Sequence, residues 1–111
     1  MEIVIERSGT SRIVRVSGEI DLATAPRLHQ ALGEFTAGAG TVIIDLTGVS
    51  FIDSSGLNVL MQSRERLTAE GQPSLLRLVV SRPAIQRVFD VTGLTAVFDV
   101  FATVDEALQS S

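Results

Sequence analysis

Residues 41–57 read TVIIDLTGVSFIDSSGL, and this stretch decides the fold. Val42, Ile43 and Ile44 make an apolar, β-branched run of the kind that suits a strand covered on both faces, and Gly48 is expected to break it into a turn. After Phe51 and Ile52 come Asp53, Ser54, Ser55 and Gly56, then Leu57, Val59, Leu60 and Met61. Polar helix-starting residues thus stand directly before an apolar helical segment. The reading is a buried strand, a turn and a helix start, with two hydroxyls at the positive end of the helix.

The flanking sequence extends the pattern both ways. Upstream, Ile3–Ile5 and Ile13–Val16 enclose the polar connection Ser8-Gly9-Thr10-Ser11 and predict a hairpin of the first two strands. Gly18, Glu19, Ile20 and Asp21 close the second strand. Either Asp21 or Thr24 can cap the next helix, with Pro26 in its first turn, where a missing N–H costs little. Ala25, Leu28, Leu32 and Phe35 recur at helical spacing as its buried stripe. Gly38 and Gly40 end that helix, and the third strand takes Thr41 to Leu46. Downstream, Gly71 and Pro73 stop the second helix, and Leu75 to Val80 form a fourth strand. Ser81 then caps a helix with Pro83 in its first turn, Ile85, Val88 and Phe89 inward, and Gly93 as its stop. A short fifth strand is expected around Val97 to Val100. Thr103 and Glu106 have capping-box spacing for a last helix reaching about Leu108.

The order β-β-α-β-α-β-α-β-α predicts an α/β fold, a mixed sheet of four to five strands with about four helices. Its opening hairpin is antiparallel, and right-handed crossovers make the later strands parallel. Strands two and three are then parallel, so Asp21 and the Asp53–Ser55 loop both follow C-terminal strand ends and share one edge of the sheet.

A chain of 111 residues fits one domain over 1–111, burying roughly 65% of its unfolded surface. With 45% hydrophobic and 20% charged residues it has the composition of a soluble globular protein. The absence of cysteine excludes a disulfide framework and a thiolate site. No signal peptide is visible and no apolar run approaches the ~20 residues that span a bilayer, which points to the cytoplasm and away from membrane insertion. A net charge of −4 without a basic stripe argues against direct nucleic-acid binding. Every basic residue is Arg, so mechanisms that need a Lys, a Walker-type phosphate site among them, are excluded. There is no Gly-x-Ser-x-Gly elbow, and a Ser-His-Asp arrangement would need the single histidine, His29, on a remote helix. No His/Cys cluster suggests a metal site. The expectation is a protein that is not an enzyme and carries neither metal nor cofactor.

The polar residues that remain gather at the second helix. Read simply, Ser54 and Ser55 are N-caps, Asp53 is a cap or turn residue, and Asp21 caps the first helix. A helix start also favours an anionic phosphate, so capping and phosphorylation are compatible there. Gly56, Val59, Leu60, Ser63 and Leu67 form the inward stripe of the second helix, its small members permitting close packing. Leu57 and Met61, four apart and flanked by Asn58 and Gln62, are then either ordinary core residues or an apolar contact strip beside the serines.

The segment FIDSSGLNVLM, with GEID ahead of the first helix, SRPAIQRVFDVTGL further on and VFATVDEAL at the end, resembles the STAS domain family. More narrowly it resembles the free-standing bacterial anti-sigma factor antagonists. The likeness covers nearly the whole chain in order and departs at Asn58, where the family very often has Gly or another small residue. The resemblance implies that Ser54, the first Ser after the Asp, is the phosphoacceptor, with Ser55 a supporting cap or alternative site. It implies a switch in which the unphosphorylated domain docks on an anti-sigma factor with serine kinase activity and frees the sigma factor for transcription. Phosphorylation of Ser54 by that partner turns the switch off, and a metal-dependent serine/threonine phosphatase resets it. Partner contacts are expected from Asp21, Asp53, Ser54, Ser55, Gly56, Leu57, Asn58 and Met61, in a monomer or weak dimer. The alternative is a STAS adaptor or scaffold in a stress-signalling or lipid-transport complex.

Overall fold

Alternating apolar and polar residues build the opening hairpin. β1 (Glu2–Ser8) and β2 (Ser11–Ile20) pair antiparallel, with Ile3 opposite Val16 and Ile5 opposite Val14, so both isoleucines lie over the buried side of the sheet. The chain continues through α1 (Ala25–Phe35), β3 (Val42–Ile52), α2 (Ser54–Ala69), β4 (Leu76–Val79), α3 (Pro83–Thr92), a 3-10 turn (Leu94–Ala96), β5 (Asp99–Phe101) and α4 (Val104–Gln109). This is a computed structural model, and it describes residues 1–35, 40–69 and 76–109. The expectations for Gly38, Gly71, Pro73, Leu75 and the side chain of Phe35 lie outside the described residues.

The sheet has five strands in the order β1-β2-β3-β4-β5, with β2 to β5 all parallel. Because the order never reverses, each right-handed crossover returns its helix to the same face. Accordingly Leu28 and Leu32 of α1, Leu60 of α2 and Phe89 of α3 share one core with Val14, Val16, Ile44, Leu46 and Leu78. Phe89 meets Phe98 edge-on in that core, ring centroids 6.3 Å apart. The opposite face has a smaller core, in which Ile13, Ile43 and Val79 lie under Ala107 of α4. The β-branched run of β3 is therefore covered on both faces, as its sequence predicts.

Gly48 does not end the third strand. β3 runs on to Ile52, and at Gly48 its register against β2 shifts, Arg15 facing Asp45 while Ser17 faces Gly48. A Cβ on Gly48 would lie 2.9 Å from the Ser17 Cβ, so the glycine serves a close approach of two strands at a bulge, not a turn. The expected strand and turn are thus one long strand feeding directly into α2.

Other boundaries follow from tertiary pairing. β4 spans Leu76–Val79, and the Val80 N–H then donates to the Phe101 carbonyl. Ser81 does not cap α3: with Pro83 at the first helical position, the N-cap is Arg82, in extended backbone and without a side-chain cap. Gly93, at φ 78°, stops that helix in the left-handed conformation that favours glycine. β5 sits at Asp99–Phe101, not Val97–Val100, because its pairing sets Arg77 against Asp99 and Val79 against Phe101. At α4 the Glu106 N–H donates to Thr103 Oγ1, while the Glu106 carboxylate accepts from the N–H of Ala102, one residue earlier than a reciprocal capping box requires.

Candidate functional site

Parallel pairing brings two acidic turns together. Ile20 and Ile52 face each other at the ends of β2 and β3, and the Asp53 N–H donates to the Ile20 carbonyl at 3.2 Å. The segments that follow, Asp21–Thr24 and Asp53–Ser55, therefore share one sheet edge. β3 also outruns β4, whose pairing stops at Asp45 opposite Val79. At about 3.3 Å per residue, the corner at Ile52 stands roughly 20 Å beyond the end of β4.

Each turn is fixed by a carboxylate. Asp53 Oδ1 accepts from the N–H groups of Ser55 (2.9 Å) and Gly56 (3.4 Å), which makes Asp53 the cap of α2. Asp21 Oδ1 accepts from Ala23 (3.0 Å) and Thr24 (3.1 Å) and holds the turn into α1. Thr24, the alternative cap, instead donates its hydroxyl to the Glu19 carbonyl and accepts from the Asp21 N–H. Oδ2 of both aspartates makes no hydrogen bond among the described residues.

With Asp53 as cap, Ser54 and Ser55 are not caps. Ser54 is exposed in the first turn of the 16-residue α2, and Ser55 is half-buried behind it. Neither hydroxyl makes a hydrogen bond among the described residues. Ser54 and Asn58 lie on the outer face of α2, one turn apart, followed by Gln62.

Two expected contact residues turn inward. Gly56 is buried, and a Cβ there would lie 2.6 Å from Ile20 Cγ2 and 2.7 Å from Ile52 Cγ1, so α2 sits directly on the ends of β2 and β3. Leu57, beside it, is 9% exposed and belongs to the core. Met61 is half-buried and packs against that core. The Leu57–Met61 contact strip is therefore corrected: the approach of α2 at Gly56 carries Leu57 under the helix. The inward stripe is otherwise as expected, with Val59, Leu60 and Leu67 buried and Ser63 donating to the Val59 carbonyl.

Two features were missed from sequence. A groove of about 420 Å³ runs between the starts of α1 and α2, walled by Leu22, Ala25 and Pro26 on one side and Ser55, Asn58 and Val59 on the other. Leu22 is 78% exposed. Its signal was available, an apolar residue in a polar turn off the helical stripe. The second feature is Asp45, buried with its Oδ2 2.8 Å from Arg15 Nη1, while Arg15 Nε meets Glu6 at 3.0 Å. The hydrogen bond to Glu6 raises the Arg15 pKa, partial burial opposes it, and the charges of Glu6 and Asp45 add to the rise. An acid inside the apolar run VIIDL was the signal for that pair. Among the described residues no helix is long and apolar enough to cross a membrane.

The sequence and the fold are similar to those of known proteins. The STAS domain family matches residues 2–107. The anti-sigma-F factor antagonist RsfB of Mycobacterium tuberculosis is 34% identical over 106 residues, covering 95% of this chain and 84% of that protein. The anti-sigma-B factor antagonist of Listeria monocytogenes is 34% identical over 102 residues, covering 90% and 88%. The crystal structure of an anti-sigma factor antagonist from Mycobacterium paratuberculosis matches with a TM-score of 0.87 at 37% identity, over 96% of this chain and 90% of that one.

Proposed function

This chain belongs to the STAS domain family, and from that premise we propose that it is an anti-sigma factor antagonist switched by phosphorylation of Ser54. In its unphosphorylated form it binds an anti-sigma factor in the cytoplasm and releases the sigma factor. The anti-sigma factor, acting as a serine kinase, modifies Ser54, and a metal-dependent phosphatase restores the binding form. The chain is then a binding protein and a kinase substrate, and performs no catalysis of its own. Asp21, Asp53, Ser55, Asn58 and the exposed part of Met61 complete the contact surface around Ser54.

The observation that carries this reading is the state of the Ser54 hydroxyl. It is exposed at the start of α2, and the capping work it could do is done by Asp53. A phosphate on Ser54 thus breaks no capping bond. The helix N-terminus favours the added charge by about 0.3–1 kcal/mol at an exposed site, so the fold tolerates it. The surface changes more. A phosphoserine brings about −1.5 to −2 charge next to two aspartates, each with one uncommitted carboxylate oxygen. A partner shaped for the neutral serine then meets a bulky, charged phosphate that it has no room for and must desolvate.

Phosphopeptide mapping after incubation with ATP and a purified serine-kinase anti-sigma factor from the same source tests the assignment. The expected site is Ser54. Modification confined to Ser55, or undiminished in Ser54→Ala, would refute it.

A further inference from the structure

The groove between α1 and α2 opens beside Ser55 and Asn58, within the surface proposed for the partner. We propose that it receives an apolar side chain of the anti-sigma factor, adjacent to a basic group of the same partner that Asp21 and Asp53 attract. This rests on the anti-sigma reading above and adds to it the chemistry of the residue that binds next to Ser54.

Leu22 carries the argument. It is 78% exposed, yet it does not sit on a loose loop. Asp21 Oδ1 holds the N–H groups of Ala23 and Thr24, and Thr24 Oγ1 ties the turn back to the Glu19 carbonyl at 2.9 Å. The leucine is thus presented to water on a fixed frame, which lowers the ordering cost when a partner covers it. Ala25, Pro26 and Val59 continue the apolar wall, while Ser55 and Asn58 form a polar lip. His29, itself exposed, lines both this groove and a smaller hollow of about 130 Å³. An apolar floor with a polar rim is the usual make-up of the energetic centre of a protein interface.

The charge around the groove selects the neighbour of that apolar residue. Asp21 immediately precedes Leu22, and Asp53 begins the helix that bears Ser55; both keep Oδ2 free of hydrogen bonds among the described residues. Two carboxylates on the turns that carry Leu22 and Ser55, next to the residues lining the groove, complement an aliphatic or aromatic side chain followed by an Arg or Lys.

The test is titration calorimetry of the full chain against a purified serine-kinase anti-sigma factor from the same source. Leu22→Ser is expected to weaken binding at least about tenfold with an unchanged melting temperature. Leu22→Met, which keeps an apolar side chain, recovers most of that loss. Val91→Ser, on α3 and equally exposed at 80%, leaves the affinity as it was. Asp21→Asn flattens the dependence of affinity on salt. If Ser54→Asp abolishes binding while Leu22→Ser stays within about twofold of the unaltered chain, the groove proposal is overturned and the anti-sigma reading stands. Binding of none of the source organism's kinase-type anti-sigma factors overturns both. Sedimentation adds a third arm: a dimer that Leu22→Ser dissociates would assign the groove to a second copy and overturn the proposal.

Discussion

Asp53 has a structural role and a proposed recognition role, and two substitutions separate them. Its Oδ1 accepts one well-formed bond from the Ser55 N–H at 2.9 Å and a long one from Gly56 at 3.4 Å. Loss of such a cap costs about 1 kcal/mol, and loss of a carboxylate facing the helix dipole adds about 0.3–1 kcal/mol. Asp53→Ala should therefore destabilise the fold by about 1–2 kcal/mol, a drop in melting temperature on the order of 5–10 °C for a domain of this size. Asp53→Asn keeps an oxygen for the cap and loses only the charge, so its cost stays near 0.5 kcal/mol. Differential scanning calorimetry on both variants, with partner binding measured on each, reads the two roles separately. On the proposed role Asp53→Asn remains nearly as stable as the unaltered chain but binds its partner more weakly. A cost below about 0.5 kcal/mol for Asp53→Ala would show that Ser54 slides into the capping position and would refute Asp53 as the residue that leaves Ser54 free.

Further expectations follow from the packing around the site. Leu57→Ala, at a core position, should cost about 2–3 kcal/mol in chemical denaturation, whereas a surface strip residue would cost under ~0.5 kcal/mol. Gly56→Ala forces a methyl group onto Ile20 and Ile52, and overpacking of about 1–3 kcal/mol should outweigh the gain of about 1 kcal/mol in helix propensity; a more stable protein would show that α2 is free to lift from the sheet. On α3, Asp90 accepts from the Thr95 hydroxyl at 2.7 Å and the Gln86 amide at 3.0 Å, and these bonds, Thr95 first, lower its pKa. A carboxyl lowered in the folded state contributes stability above its unfolded pKa and loses it as pH falls through the folded one. Thr95→Val should therefore move the Asp90 pKa, followed by NMR titration, back up toward the ordinary carboxylate value; an unmoved titration would refute the contact.

The element order, the parallel pairing of β2 with β3 and the shared edge of Asp21 and Asp53 were legible because each rests on local pattern plus the handedness of crossovers. Gly48 was not, because a glycine in an apolar run signals a turn and a bulge alike, and the deciding neighbour, Ser17, lies on another strand. Three capping residues in a row, Asp53, Ser54 and Ser55, leave the cap open in sequence. The length of β3 settles it by ending the strand at Ile52. Ser81 was overridden by Pro83, whose fixed geometry puts the N-cap at Arg82. Periodicity left Leu57 between core and surface; only the contact of Gly56 with Ile20 and Ile52 tells which. Leu22 escaped notice because a residue outside every stripe has no periodic signature, and its exposure depends on how α1 sits beside α2.

The central claim is that one phosphate on Ser54 changes what the surface binds and leaves the fold intact. Titration calorimetry of the Ser54-phosphorylated and unmodified chains against the same anti-sigma factor, with circular dichroism melts of both, tests it most directly. A contact shaped for a neutral hydroxyl cannot satisfy a phosphate, and an ionised group buried there without matched partners costs roughly 1–3 kcal/mol or more, which must exceed its attraction to a basic group of the partner. The account predicts matching melts and an affinity about 5- to 150-fold weaker for the phosphorylated chain. Equal affinities with both folds intact, or a melting temperature that collapses on phosphorylation, would contradict it.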